Sequence, residues 1–151
     1  MIIKETKDID AINTVLKNPV IYDTITSDNS PCSEHFLAPI TDDYRYVLGS
    51  VNGDIIGLMV YHEYKDGEEC QVQALPEYRK KYAIEFGDKA LGFRDKSKPL
   101  YAEIPDYHKN VLSFAVKNGF EVIKQEDLGY KKNGARYPVN ILKYKALEGG
   151  G

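Results

Sequence analysis

The chain has 151 residues, of which 28% are charged and 42% are hydrophobic, and its formal net charge is −3. This length suits one domain with a single core, and the balance of residues is that of an ordinary globular protein. The slightly acidic charge predicts no general attraction to nucleic acid or membranes, and no apolar run approaches the roughly 20 residues that span a bilayer. The first residues lack the layout of a signal peptide, so we expect a cytoplasmic protein.

The two cysteines and the glycine-rich end indicate where the domain stops and what it lacks. Cys32 and Cys70 have neither CxxC spacing nor a Cys/His metal pattern, so we expect two free buried thiols and no metal site. Residues 148–151 are a glutamate and three glycines, which is typical of a loose tail or a remnant of expression. The sequence therefore predicts one domain over residues 1–147.

The chain begins with a predicted strand over Met1–Thr6 and a helix after it. Thr6 or Asp8 can cap this helix, which runs at helical spacing through Asn18 until Pro19 stops it. Val20–Ser27 is ambiguous, with a short second helix as one alternative.

A long polar segment separates these elements from the centre of the chain. Asp28–Asp43 is rich in Ser, Pro, Asp and Asn, which predicts a loop. Loops of this length are often lids or binding loops, so this one is either a lid or a loose loop.

The centre of the chain predicts an antiparallel meander of three strands. Tyr44–Val51 and Asp54–Tyr64 are joined by Asn52-Gly53, a strong signal for a tight hairpin. A second turn containing Gly67 leads into the third of these strands, Glu68–Leu75.

Two amphipathic helices alternate with strands in the last part of the chain. A helix after Pro76 is followed by a strand over Leu100–Ile104, a helix over Tyr107–Asn118, and strands over Phe120–Ile123 and Arg136–Tyr144. The residues predicted to face inward are Ala83, Phe86, Ala90 and Phe93 on the first helix and Val111, Leu112, Ala115 and Val116 on the second. This order predicts an α/β protein of the mixed α+β kind, with a mostly antiparallel central sheet flanked by about four helices.

The stretch Gln71–Gly87 joins a strand, a turn at Pro76 and a basic helix start. The first amides of a helix have no intrahelical partner, and the helix dipole is positive there. The cations Arg79, Lys80 and Lys81 add to that field, which predicts a site for an anion such as a phosphate. The alternative is a solvated basic turn.

Together with the element order, two motifs resemble the GNAT superfamily of acyl-CoA-dependent N-acyltransferases. The turn Leu75-Pro76-Glu77-Tyr78-Arg79 is similar to the start of the family's coenzyme A motif, Q/R-x-x-G-x-G/A, with Arg79 at its first position. Tyr82 and Ile84 stand where that motif has its small residues. The segment Phe114–Phe120 resembles a second family element, but Ala115 replaces the tyrosine that often acts as general acid.

The resemblance covers approximately Met1–Leu147 and extends to a narrower group. Asn18-Pro19, Tyr22, the long loop and Ile104-Pro105 look like small GNAT-like proteins of tailed bacteriophages, in which a histidine is common where Gln71 stands. A phage member would occupy the host cytoplasm. The family also implies acetyl-CoA as co-substrate, an amine acceptor and frequent homodimers.

The resemblance implies a coenzyme site along the end of the fourth strand and the helix that follows. Backbone amides near a bulge would hold the acyl carbonyl, and amides at the helix start would hold the pyrophosphate, with basic side chains pairing with its charge. The predicted coenzyme-binding residues are Gln73, Ala74, Leu75, Arg79, Lys80, Lys81, Tyr82, Ala83, Ile84 and His108. His108 contacts the pantetheine in this interpretation and is a surface residue in the alternative one.

A general base should lie on the fourth strand or beside it, because the attacking amine must lose a proton. Glu69 lies on that strand, and His62 and Glu63 lie on the neighbouring one. Alternation puts Glu69, Gln71 and Gln73 on one face of the strand, which is either a substrate-binding face or a solvent-exposed edge. His62 is alternatively a structural histidine.

The sequence alone selects neither the residue that donates a proton nor one of two functions. Tyr101 or Tyr107 can replace the missing tyrosine acid. The first function predicted is transfer of an acetyl group from acetyl-CoA to an amine. The alternative is a GNAT-fold protein that has lost catalysis and acts as a binding or assembly factor, in a phage particle or against a host protein. An open V-shaped splay between the fourth and fifth strands favours the enzyme, whereas a splay filled by Tyr82 or Ile84 favours the binding protein.

Overall fold

The computed structural model describes residues 1–145, which form a seven-stranded sheet, a short separate hairpin and four α-helices. The helices are α1 Ile9–Leu16, α2 Pro19–Ile25, α3 Arg79–Leu91 and α4 Lys109–Lys117. The strands are β1 Ile2–Thr6, β2 Tyr44–Val51, β3 Asp54–Tyr64, β4 Gly67–Ala74, β5 Leu100–Pro105, β6 Phe120–Glu126, β7 Lys131–Lys132, β8 Ala135–Arg136 and β9 Val139–Tyr144. No helix within residues 1–145 is both long and apolar enough to cross a membrane.

The sheet has the order β1-β2-β3-β4-β5-β9-β6, and every neighbouring pair except β4 with β5 is antiparallel. The predicted mixed sheet and its four helices are therefore confirmed. The hairpin between β2 and β3 turns at Asn52 and Gly53, which have φ of 52° and 85°. Both angles lie in the left-handed region that such tight turns require.

Capping residues fix the first two helices. Asp8, and not Thr6, caps α1, because its carboxylate accepts the backbone amides of Asp10 and Ala11. Asn18 caps α2, with Pro19 at the first helical position. The ambiguous segment is thus a short second helix that begins at its proline.

Each face of the sheet carries one apolar core. Helices α1 and α2 cover the face that includes Leu58 and Val60, whereas α3 and α4 cover the face that includes Met59 and Tyr61. Phe86 of α3 packs against the sheet where Gly49 of β2 lies, and a Cβ on that glycine would come within 2.5 Å of the ring. The glycine therefore lets α3 approach closely.

Strands β4 and β5 separate soon after they begin. Their parallel pairing covers only Glu68 with Leu100 and Glu69 with Tyr101. Beyond these pairs β4 stays with β3 as far as Ala74, and β5 stays with β9. The sheet is therefore split between its two halves, as a V-shaped splay requires.

Several details differ from the sequence predictions. Helix α3 ends at Leu91 because the next three amides bond three residues back in tighter turns, so Phe93 lies in the connection. Val116 is 54% exposed, because it lies outside the inward face of the helix that contains Ala115. Cys70 is buried as expected, but Cys32 is exposed because its loop runs over the surface.

The end of the sheet also departs from prediction. Strand β6 continues to Glu126, whereas β9 begins only at Val139. Arg136 instead pairs with Lys131 in the separate hairpin, because Pro138 lacks the amide that would continue the strand. The predicted tail over residues 148–151 lies outside the described residues.

Candidate active site

A cavity of about 410 Å³ occupies the splay between β4 and β5. Its walls include Val72 of β4, Ile104 of β5 and Phe114 of α4. Ile25 of α2 reaches it from the opposite face of the sheet, so the cavity passes through the sheet. The side chains of Tyr82 and Ile84 are not among its walls, so neither fills the splay.

Backbone amides of β4 face this cavity at alternate residues. The amide of Leu75 donates to the carbonyl of Ile56 in β3 at 2.8 Å. Alternate residues of an antiparallel strand bond to the same neighbour, so Gln73 also pairs with β3, whereas Val72 and Ala74 point away from it. The amides of Val72 and Ala74 are therefore presented where β5 has diverged. The bulge expected in this strand is absent, because the β3–β4 ladder runs in unbroken register to Ala74.

Glu69 lies in the cavity wall near the closed end of the splay and is only 6% exposed. Its Oε1 is 3.5 Å from Nε2 of His62, the residue directly across the ladder. Nδ1 of His62 lies 2.9 Å from the carbonyl oxygen of Glu63, which can only accept. The hydrogen bond that the ring donates to Glu69 raises the pKa of His62, although burial opposes that shift.

Glu103 of β5 is a second carboxylate in the cavity wall, and the sequence analysis did not select it. Its charge also raises the pKa of His62, after the larger effect of Glu69. Burial raises the pKa of Tyr64, and the Glu103 carboxylate raises it further. Glu103 shares a strand face with Tyr101, but its distance from Glu69 depends on the β4–β5 register, which no local pattern reveals.

Glu63 and Tyr101, two predicted catalytic residues, do not line the cavity. Glu63 is exposed and alternates to the other face of β3 from His62. The hydroxyl of Tyr101 donates to Oδ1 of Asp66 at 3.0 Å, beside the closed end of the splay. The hydrogen bond to Asp66 raises the pKa of Tyr101.

Tyr107 does not itself line the cavity but contacts a tyrosine that does. Its hydroxyl lies 3.1 Å from the hydroxyl of Tyr130, which in turn donates to the carbonyl of Thr26 at 3.0 Å. Tyr130 does line the cavity, and the sequence analysis missed it because it lies in an irregular segment. Ala115 lies in the cavity wall at the position of the family's tyrosine.

The basic helix start at Arg79 lies five residues beyond Ala74, the last residue of β4. Nε of Arg79 donates to the carbonyl of Ala74 at 3.0 Å, and the side chains of Lys80 and Lys81 are exposed. A short 3₁₀ turn over Pro76–Tyr78 leads into α3. Within this turn the amides of Tyr78 and Arg79 donate to backbone carbonyls three residues earlier.

Two residues of this helix start replace the family's small residues. Tyr82 is half-buried against the core, and Ile84 is 46% exposed. The amides of Ala83 and Ile84 bond within the helix, as residue i does to residue i−4. The cations therefore surround a helix start that has fewer free amides than the sequence predicted.

His108 lies in the cavity wall, between α4 and the end of α2. Its Nε2 is 3.1 Å from the carbonyl oxygen of Thr24, and its ring lies 4.0 Å from that of Tyr107. Burial lowers the pKa of His108, which favours a neutral ring that donates from Nε2 to this carbonyl. His108 therefore joins α2 to the cavity and is not a free surface residue.

The structure thus brings together one part of the predicted site and separates another. Glu69, Gln73 and His108 line one cavity, and Ala74 and Arg79 lie at its open end. Within residues 1–145, no group of three or more His, Cys, Asp or Glu side chains is arranged to hold a metal ion.

Solved N-acetyltransferases share this architecture along nearly the whole chain. A ribosomal-protein-alanine N-acetyltransferase from Brucella melitensis matches with a TM-score of 0.75 and 14% identity, over 97% of this chain and 100% of that one. A variant of the spermidine N-acetyltransferase SpeG from Vibrio cholerae matches with a TM-score of 0.73 and 15% identity, over 95% and 94% of the two chains. YncA from Salmonella typhimurium, solved with its cofactor acetyl-CoA, matches with a TM-score of 0.72 and 15% identity, over 99% and 98%.

These matches show that the chain has the GNAT fold, as the resemblance implied. No protein-family model and no curated protein matches the sequence.

Proposed function

We propose that this protein is an N-acyltransferase that moves an acetyl group from acetyl-CoA to an amine by direct attack. The observation that carries the proposal is the open splay between β4 and β5, with Glu69 in its wall and two β4 amides turned into it. A cavity there has both a hydrogen-bonding edge and a base, which acyl transfer to an amine requires. The solved neighbours with this fold are N-acetyltransferases, which supports the same class of reaction.

The residues at the open end of the splay suit an acyl-CoA. Val72 and Ala74 present backbone amides that can hold the acyl carbonyl, and donors at such a position stabilise the charge that develops on its oxygen. Arg79, Lys80 and Lys81 can pair with the phosphates. Acetyl-CoA supplies the activated acetyl thioester when it is bound.

Glu69 is the proposed base. An alkylamine is protonated near neutral pH and must lose that proton before it can attack a carbonyl carbon. Glu69 can accept the proton from an amine in the cavity, and His62 lies within reach of the same carboxylate. His62 is therefore the positioning residue that holds Glu69 and shares its proton.

The missing tyrosine acid does not exclude this reaction. The leaving group is a thiolate, and free thiols have a pKa of about 8.5, so it can leave with little help from an acid. Ala115 at the family's tyrosine position thus removes a secondary aid, while the base and the amides stay in place.

The second candidate function is a protein of this fold that has lost catalysis. Tyr82 and Ile84 at the family's small positions favour it, because a phosphate approaches a glycine backbone more closely. A phage origin, a cytoplasmic location, a homodimer and a protein partner stay predictions from the resemblance, and the proposed chemistry depends on none of them.

Thermal melting with acetyl-CoA, followed by an assay of coenzyme A release with an amine panel, tests the proposal. Ligand at roughly 100 times its Kd adds about 2.7 kcal/mol, which is a shift of several degrees for this size of domain. The shift should fall when Arg79 and Lys80 are both changed to alanine and persist in Lys4→Ala, a control on the β1 edge. No shift at millimolar acetyl-CoA and no coenzyme A release would overturn the enzyme and favour the second candidate.

A further inference from the structure

A second cavity adjoins the first on the face of the sheet that α1 and α2 cover. It has a volume of about 270 Å³ and lies between the sheet and the loop after α2. Ile25 and Gln71 line both cavities. His62 lines the second cavity while Glu69 lines the first, and these two side chains are 3.5 Å apart. Ile25 and Gln71 therefore mark where the two cavities adjoin, and a molecule with its amine at Glu69 would enter the second cavity past Gln71.

Aromatic rings form much of the wall of this second cavity. Tyr22 and Phe36 meet edge to face with their ring centroids 5.6 Å apart. Tyr44 stacks on His62 at 5.2 Å and lies 6.5 Å from Tyr46. The aliphatic side chains of Leu16 and Val60 also line this cavity. Such a wall suits an aromatic or apolar group, which gains from burial and from ring-to-ring contacts.

Three hydroxyl groups around these rings are already bonded within the protein. The hydroxyls of Tyr22 and Tyr46 donate to the carbonyls of Pro31 and Pro39 in the loop. The hydroxyl of Thr26 donates to the carbonyl of Tyr22 at 2.6 Å. No lysine, arginine, aspartate or glutamate of residues 1–145 lines the cavity, so a second positive charge on a ligand would lie there unpaired.

The two carboxylates of the first cavity set the charge that the reacting end of the ligand can carry. Glu69 and Glu103 attract an ammonium group, and they repel a carboxylate on the carbon next to it. The same pair therefore favours a simple amine over an amino acid. A second ammonium further along the ligand would meet His62, whose imidazolium form Glu69 stabilises.

We propose that the acceptor is a primary amine with a single positive charge and an aromatic or apolar body, that is, an arylalkylamine without a carboxylate. The amine lies at Glu69 and the body lies among the rings of the second cavity. This inference rests on the proposed acetyl transfer and names its acceptor class.

Transfer from acetyl-CoA to four amines tests the acceptor class. The probes are 2-phenylethylamine, n-propylamine, L-phenylalanine and spermidine, with coenzyme A release as the signal. We expect kcat/KM for 2-phenylethylamine to exceed that for each of the other three by about 100-fold, which corresponds to about 2.7 kcal/mol. Equal or faster transfer to spermidine or L-phenylalanine would overturn the acceptor class and leave acetyl transfer itself standing.

Two substitutions at Phe36 test whether the second cavity is the one used. Phe36→Ala removes a wall, and Phe36→Trp fills the space, so both should reduce the preference for 2-phenylethylamine over n-propylamine by about tenfold. Leu37→Ala is the matched control, since Leu37 is the next residue and is 86% exposed. An unchanged preference in both Phe36 variants would overturn the assignment.

A binding experiment separates this inference from the proposed function. Titration of the protein alone with 2-phenylethylamine, followed by calorimetry, needs no acetyl-CoA and no turnover. Binding that Phe36→Trp weakens supports the pocket, even where acetyl-CoA produces no thermal shift and the acyltransferase proposal fails. No binding with or without saturating coenzyme A overturns the pocket, even where acetyl transfer to another amine is seen.

Discussion

Oε1 of Glu69 lies 3.5 Å from Nε2 of His62, straight across the β3–β4 ladder. The other ring nitrogen of His62 faces the carbonyl oxygen of Glu63, so Nδ1 must carry a proton. Nε2 and the carboxylate can then attract each other only when one further proton lies between them. The two residues therefore form a proton-sharing pair beside the cavity.

The first prediction concerns how this pair makes stability depend on pH. Glu69 raises the folded-state pKa of His62 above its ordinary value of 6.5, so folding favours the protonated ring. The stability gained is fully present below about pH 6.5 and is lost as the pH rises through the raised folded-state pKa of His62. Urea denaturation should show a larger difference between the wild type and His62→Gln at about pH 6 than at about pH 9.

The exposed histidine His35 supplies the control for this experiment. His35→Gln removes an imidazole that has no carboxylate across a ladder, and it should leave the pH profile of stability as in the wild type. A His62→Gln difference that stays constant or grows with pH would contradict the proton-sharing pair.

The second prediction separates the two glutamates that the sequence offered as bases. Glu69→Gln should lower kcat/KM by about 10² to 10⁴, the usual effect of removing a general base, while the thermal shift with acetyl-CoA persists. Glu63→Gln should change kcat/KM little, because Glu63 is exposed on the opposite face of β3. The wild-type kcat/KM should rise with pH as the pair loses its proton. Equal losses in both variants would show that neither glutamate is the base.

The order of elements was predictable because each signal is local. Asn52-Gly53 specifies a hairpin by its positive φ angles, and the carboxylate of Asp8 caps the helix next to it. Glu69 could be selected for the same reason, since its strand and the alternation along it are both readable. Predictions of this kind depend on residues only a few positions apart.

The splay was not predictable from the residues alone, and the family resemblance supplied it. Where β4 leaves β5 depends on the pairing of β5 with β9, whose residues lie about 40 positions further on. The sequence therefore shows Glu103 only as a glutamate in an alternating strand. The strand register, which the sequence does not show, places it in the same cavity wall as Glu69. A separation of 104 residues likewise hides the contact between Tyr130 and Thr26.

The third prediction tests the amides that face the splay. A proline at Ala74 removes an amide that bonds to neither strand, and its ring projects into the open space, so we expect Ala74→Pro to fold and to lose most of the thermal shift with acetyl-CoA. Gln73→Pro removes an amide that pairs with β3 and should lower the melting temperature by several degrees. Melting curves of both variants with and without acetyl-CoA measure this. A full shift in Ala74→Pro would show that this amide does not hold the ligand.

The fourth prediction concerns the ion pair that holds the closed end of the splay. Nη2 of Arg45 donates to both carboxylate oxygens of Glu68 at 2.9 and 3.0 Å, and its Nη1 donates to the carbonyl of Phe93 at 2.8 Å. Glu68 is buried and also accepts the amide of Asp95 at 3.1 Å. The pair thus joins β2, β4 and the connection after α3 at the point where β4 still pairs with β5.

Removing only one partner of this pair should cost more than removing both. Arg45→Met leaves the Glu68 carboxylate buried and unpaired, and we expect a loss of about 3 kcal/mol in the free energy of unfolding, at the lower end for buried pairs because Arg45 is partly exposed. The double variant Arg45→Met, Glu68→Leu removes both charges and should recover most of that loss. Urea denaturation of the four proteins of this cycle, including Glu68→Leu alone, gives the coupling energy. Losses that simply add in the double variant would show that Arg45 and Glu68 stabilise the closed end independently of each other.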